Sequence, residues 1–216
     1  MMILRAYLLF YIAIIPYSAW ATDISLDLAK WNKVKYEKIK ENTVIQTENG
    51  LKVSVNNSSS ALVYKFDKPT SVKEVYIKAE LNGKINYGQK IPGSEKADDF
   101  PLRLGFILKG KNKLNFFQKA IAPNWLAELN EISSSAGGLD KIYSLVFYSE
   151  KPDFEKREHP LSPYFFEEVG GRFINSKLKG KYSFSTEKEI IGLWLSSDGD
   201  DTHSSYEVII VNIIIN

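Results

Sequence analysis

The chain has no cysteine, so disulfides, thiolate metal sites and cysteine nucleophiles are all excluded. It has only two histidines, His159 and His203. A Ser-His-Asp arrangement would have to use one of them, yet no G-x-S-x-G is present and no H-E-x-x-H spacing points to zinc. Both histidines read as surface residues. Charge of one sign is also missing, with 28 basic residues against 26 acidic ones. A chain so balanced lacks the electrostatic footprint of a nucleic-acid binder. Its densest basic stretch, Lys30 to Lys40, contains Glu37 and runs into Glu41, which marks a solvated face rather than a polyanion site. Internal repeats and long linkers are absent too. With 44% apolar and 13% aromatic residues, the chain is far from the composition of disorder, and its stability must come from a hydrophobic core.

What is present begins with a leader. Arg5 precedes an uncharged apolar run from Ala6 to Pro16, and Tyr17-Ser18-Ala19-Trp20-Ala21 follows, with small residues at Ala19 and Ala21. This is the three-part layout of a secretory signal peptide. Counted generously from Ala6 through Ala21 the run is shorter than the roughly 20 residues a spanning helix needs, and Pro16 and Ser18 interrupt it. A lipid anchor would need a cysteine. The expectation is therefore a signal peptide over residues 1–21, cleaved after Ala21, and a soluble monomer over 22–216, periplasmic or secreted, with no membrane span. Removing Arg5 leaves 27 basic against 26 acidic residues, a formal +1.

From Thr43 onward the pattern is period two, or short apolar runs broken by turn residues. Strands are expected at Leu51 to Val55, Ala61 to Phe66, Val72 to Leu81, Leu102 to Leu108, Ile142 to Tyr148, Ile190 to Leu195 and Tyr206 to Ile215. Weaker candidates lie at Thr43 to Glu48, Val169 to Asn175 and Tyr182 to Ser185. One helix is expected over Asn124 to Ile132, directly after Pro123, with Trp125, Leu126, Leu129 and Ile132 on one face across the open end of a sheet. About nine strands with one or two short helices predict an all-β, single-domain β-sandwich of the jelly-roll type. The last strand, Val208 to Ile215, is apolar on both faces except at Asn212 and should lie in the middle of a covered sheet.

Two motifs stand out. Asp98-Asp99-Phe100-Pro101-Leu102-Arg103 runs into a hydrophobic strand, and Ile191-Gly192-Leu193-Trp194-Leu195 leads to Asp198-Gly199-Asp200-Asp201-Thr202-His203 before the closing strand. In this order the chain resembles the bacterial family of unknown function DUF3047, whose members show DD-x-x-x-R before a central strand and D-x-D-[ND]-T before the last one. It departs from that pattern at Val75 to Ala79, where the family has a Trp-rich strand, and at His203, where the family has Gly. The resemblance implies a jelly roll similar to galactose-binding domains in an exported protein without an assigned reaction.

Among polar clusters the sharpest is Asp198, Asp200 and Asp201. Its ordinary reading is an Asx-type turn. The alternative is an oxygen-ligand loop for Ca²⁺, completed by Asp98 and Asp99 if the two motifs meet in space. The EF-hand pattern is absent, because Ile209 stands at the twelfth position. No other cofactor is implied. The carboxylate pairs Asp98-Asp99 and Glu167-Glu168 have the chemistry for glycoside cleavage, but adjacent acids on a strand point to opposite faces. Tyr148, Phe154, Tyr164 and Phe165 flank a polar, proline-rich segment and supply the ring faces a sugar-binding surface needs. Trp31, Trp125 and Trp194 read as core or core edge. These features favour an exported, non-catalytic binding or envelope-accessory protein with carbohydrate as its ligand chemistry. The runner-up is a polysaccharide hydrolase using Asp98, Asp99, Glu167 or Glu168. A third reading is a structural partner in an envelope protein assembly.

Overall fold

The computed structural model describes residues 21–112, 123–160 and 162–216; the leader up to Trp20 lies outside them. The chain is an all-β sandwich. Its strands are β1 (Thr22–Asp23), β2 (Trp31–Lys35), β3 (Thr43–Thr47), β4 (Gly50–Asn56), β5 (Ser59–Gly83), β6 (Leu102–Asn112), β7 (Leu139–Tyr148), β8 (Lys156–His159), β9 (Ser162–Arg172), β10 (Lys177–Asp198) and β11 (Ser205–Ile215). One α-helix, α1 (Asn124–Ser134), and a 3-10 turn at Leu28–Lys30 complete the described elements. No helix among the described residues is long and apolar enough to cross a membrane.

The two long strands build the sandwich by passing through both layers. β5 and β10 pair antiparallel along most of their length, and the register slips between Ser183 and Lys188 and again between Ile190 and Gly192. Pro69 lies in the β5 stretch opposite the second slip, where the missing N–H costs no ladder bond. Beyond the bend the C-terminal half of β5 pairs with β11, which pairs with β4 and then β3. The N-terminal half of β5 pairs with β2, and the C-terminal half of β10 pairs with β6, followed by β7, β9 and β8. The β7–β9 pairing is parallel; the others are antiparallel. Segments expected as separate strands at 61–66 and 72–81 are thus one continuous bent strand, because a bulge re-aims the chain without ending its pairing. The expected weak strand at 169–175 is shifted to Ser162–Arg172.

The period of two sorts residues to the two faces of the second sheet. Inward, Leu102, Leu104, Phe106, Leu145, Phe147, Leu193 and Leu195 meet Val53, Val55, Val208 and Ile210 of the first sheet in one core. β11 is central, flanked by β4 and β5, with Val208, Ile210, Ile213 and Ile215 buried. Outward, Val63, Ile107, Ile142 and Trp194 form a second core with Leu129 and Ile132 of α1. The helix therefore lies on the outer face of the second sheet rather than across the end of the sandwich. Gly105 permits the close fit there, since a Cβ at that position would come within 2.6 Å of Ile142 Cγ2 and 3.0 Å of Trp194 Cβ. Ser133 O caps the helix end by accepting from Gly138 N at 3.0 Å, and Gly137 turns away with φ +101°. Because the helix is short, it leaves the rest of this outer face uncovered by the described residues.

Candidate functional site

The open remainder of the outer face forms a cavity of about 470 Å³ beside the first turn of α1. Volumes of about 300–1,000 Å³ are typical of small-molecule sites. Its apolar wall is aromatic: Tyr36 follows β2, Trp125 opens α1, Phe165 lies on β9 and Trp194 on β10. The rings touch one another. Trp125 lies 5.6 Å from Phe165, Phe165 is edge-on to Trp194 at 5.5 Å, and Tyr36 is 6.4 Å from Trp194 between centroids. Ser196 and Asp198 continue along β10 on the face of Trp194, so alternation alone delivers an aromatic, a hydroxyl and a carboxylate to one surface.

The polar wall is a dense ion network around Arg103, whose side chain is 8% exposed. Its Nε donates to Glu167 Oε1 at 2.8 Å, and its Nη2 donates to the Asp98 carbonyl at 2.9 Å and to Asp98 Oδ1 at 3.2 Å. Nη1 pairs with Asp198 Oδ2. Ser59 Oγ donates to the other Asp198 oxygen. Arg157 reaches the same acids from β8: Nε donates to Glu167 Oε2 at 2.7 Å, Nη2 pairs with Asp98 and Glu167, and Nη1 donates to the Gly93 carbonyl at 2.6 Å. Each guanidinium lies over a ring, Arg103 over Phe100 at 4.7 Å and Arg157 over Phe154 at 3.9 Å. His159 Nε2 lies 3.2 Å from Asp98 Oδ2.

These contacts set the protonation states. Burial pushes the Asp98 carboxyl up, but Arg103, the His159 bond and Arg157 together outweigh it and hold the group below its ordinary value. Burial likewise disfavours the charge on Arg103, and Glu167 and Asp98 more than restore it. Asp98 is thus a fixed anion, which suits an ion-pair scaffold and not a general acid. Asp200, at the cavity edge, goes the other way: burial, with Asp99 and Asp201 nearby, raises its carboxyl. Burial also raises the Tyr36 hydroxyl, keeping it neutral.

The two sequence motifs do meet. Asp99 accepts from the amides of Asp201 at 3.3 Å and Thr202 at 2.7 Å and from Thr202 Oγ1 at 2.6 Å, while Asp98 N donates to Asp201 Oδ2 at 3.2 Å. The Asp198 to Thr202 segment is therefore an Asx-type turn capped from a distance. The five acids considered for Ca²⁺ converge, but Asp98 and Asp198 are engaged by guanidinium groups and Asp99 by turn donors. Asp98, His159 and Glu167 also have ligand atoms within 4.8 Å of one another, with the two arginines already inserted between the carboxylates. This donor set fits arginine better than a hard cation, which requires its carboxylate oxygens free.

Of the four predicted ring residues, Phe165 lines the cavity. Phe154 instead supports Arg157 and packs edge-on against Phe100 at 6.1 Å. Tyr164 packs against the second core, and Tyr148 lies at the end of β7 opposite Arg172, outside the cavity. Trp31 is buried in the main core as expected. Trp125 and Trp194, expected only as core or core edge, are cavity walls as well. His203 is exposed, its Nδ1 2.8 Å from Asn57 Oδ1. His159, by contrast, is a cavity residue and not a surface one; its position opposite Asp98 depends on β8 returning alongside β9, which no local pattern signals. Glu167 and Glu168 do face opposite ways: Glu168 accepts from Tyr143 and pairs with Lys156 at 3.0 Å.

No family model and no curated protein matches this chain. Among solved structures it is similar to a xylan-binding module, CBM15, with 10% identity and a TM-score of 0.40 over 91% of this chain and 95% of that chain. It is also similar to the family 11 carbohydrate-binding module from Clostridium thermocellum in complex with a β-1,3-1,4-mixed-linked tetrasaccharide, with 10% identity and a TM-score of 0.38 over 90% and 94%. A third is the low-affinity xylan-binding module CBM86 from Roseburia intestinalis, with 9% identity and a TM-score of 0.34 over 86% and 94%.

Proposed function

We propose that this chain is an exported, non-catalytic binding protein whose ligand is a glycan held in the cavity on the outer face of the second sheet. The observation that supports it is the pairing of an aromatic wall, Tyr36, Trp125, Phe165 and Trp194, with a polar wall fixed by Arg103 and its three carboxylates. Sugars present apolar C–H faces that stack on rings, and hydroxyls that bond carboxylates and serines. Catalysis by Asp98 or Glu167 is disfavoured because both are clamped by two arginines, whereas glycoside cleavage needs one carboxyl kept protonated. Export rests on the leader, with a mature chain starting at Thr22. That start is checked by the intact mass of protein recovered from the cell envelope.

A glycan array probed with the 22–216 protein, paired with a hydrolysis assay on the retained glycans, tests the reading. Retention without product is expected, with loss of retention in Trp125→Ala while circular dichroism still shows the folded protein. Product formation would replace it with the hydrolase. Silence in both assays would replace it with a role as a structural partner in an envelope protein assembly.

A further inference from the structure

The charge inventory of the cavity is lopsided. Each nitrogen of the Arg103 and Arg157 guanidiniums already donates to or pairs with a carboxylate or a carbonyl, so both cations are engaged by acids and carbonyls of the chain itself. Against them the cavity lining carries Asp98, Asp99, Glu167, Asp198, Asp200 and Asp201, with His159 paired to Asp98 and Glu37 beside Lys38. Asp200 and Asp201 have no cationic partner among the described residues. Independently of the acids, Ser196 lines the cavity on the face of Trp194 and Asp198, is 3% exposed and has no hydrogen-bond partner among the described residues. Its hydroxyl is available to a partner that enters the cavity.

From these observations we infer that the cavity selects a sugar bearing a free, protonated amine, the ammonium seated between the ring faces and Asp200 while Ser196 bonds a ring hydroxyl. The inference rests on the glycan-binding reading of the same cavity. An ammonium gains twice here: from the negative faces of Tyr36 and Trp125, which attract cations, and from carboxylates that lack a counter-charge in a partly desolvated site. Acetylating the amine removes both gains. A uronic acid would meet the Asp200 and Asp201 carboxylates, for which no ion pair is found among the described residues.

The test is calorimetric titration of the 22–216 protein with three oligosaccharides of equal length: a glucosamine oligomer held at a pH where its amines are protonated, its N-acetylated counterpart, and a galacturonate oligomer. The glucosamine oligomer is expected to bind about tenfold more tightly than the acetylated one, with the advantage shrinking as NaCl is raised. Asp200→Asn should erase that advantage; Asp201→Asn provides a second variant at the same edge. Equal or tighter binding of the acetylated or acidic oligomer would overturn the amine inference and leave glycan binding standing. Failure of all three to bind, with the protein folded, would overturn both.

Discussion

Replacing Arg103 with methionine should cost about 3–5 kcal/mol of stability, the range found when one partner is removed from a buried ion pair. The reason lies in what stays behind. Glu167 is fully buried, and the Asp98 and Asp198 side chains are 18% and 10% exposed, so three carboxylates would lose their common counter-charge in a site water reaches poorly. Arg157 would still pair with Glu167 and Asp98; among the described residues Asp198 would retain the Ser59 hydroxyl. The stack on Phe100 goes too, worth roughly 0.5–2 kcal/mol. An exposed pair would be worth only about 0–1 kcal/mol, so the magnitude separates the two cases. In urea, with m near 2 kcal/mol/M, the midpoint should fall by about 2 M at unchanged m. The pH dependence follows from sign. Asp98 has a depressed value in the folded state, so the stability it contributes is present above its ordinary value of 3.8 and is lost as pH falls through the folded value. The deficit of Arg103→Met should accordingly be large at pH 7 and narrow below about pH 4. Glu167→Gln added to Arg103→Met should recover part of the loss, because it removes a buried charge left with too little compensation. A cost under about 1 kcal/mol at pH 7, or one independent of pH, would refute this account of the network.

Three further outcomes are expected. Asp200→Asn should raise the melting temperature at pH 7, because burial and neighbouring acids raise that carboxyl and its ionisation therefore costs folded-state stability above its ordinary value of 3.8; differential scanning calorimetry should show the gain vanish in acid, and an Asp200→Asn that destabilises at pH 7 would contradict it. Ending the chain before Ser205 should abolish cooperative folding by circular dichroism, since Val208, Ile210, Ile213 and Ile215 are all buried and each is worth about 1.5–3 kcal/mol against a total of about 5–15. Melting in EDTA and then in millimolar Ca²⁺ should give the same midpoint, because arginines and turn amides occupy the carboxylates of Asp98, Asp99 and Asp198; a rise that Asp200→Ala abolishes would show that an ion binds there after all.

The local sequence was sufficient for what depends on local periodicity. Alternation marked β4, β6, β7 and β11, and the one-faced pattern after Pro123 marked α1, because burial of one strand face or one helix stripe writes its period directly into the residues. The apolar run Val208 to Ile215 likewise declared a central strand, although only the Val208, Ile210, Ile213 and Ile215 side is buried and Val211 on the other side is exposed, so the strand is central without being covered on both faces. Opposite orientation of Glu167 and Glu168 followed from the same alternation. Tertiary structure alone decided the rest. Nothing local indicates that β5 and β10 bend through both layers, because a bulge is read only against its partner's register. Nothing local indicates that α1 covers just part of the outer face, which is why Trp125 and Trp194 could be recognised as apolar but not as cavity walls. The convergence of Asp98, Arg103, Arg157, His159, Glu167 and Asp198 spans up to a hundred residues of chain. Ionic attraction in a buried site depends on distance in space and leaves no periodic trace along the sequence, so the chain displayed the acids while only the fold revealed which arginines hold them.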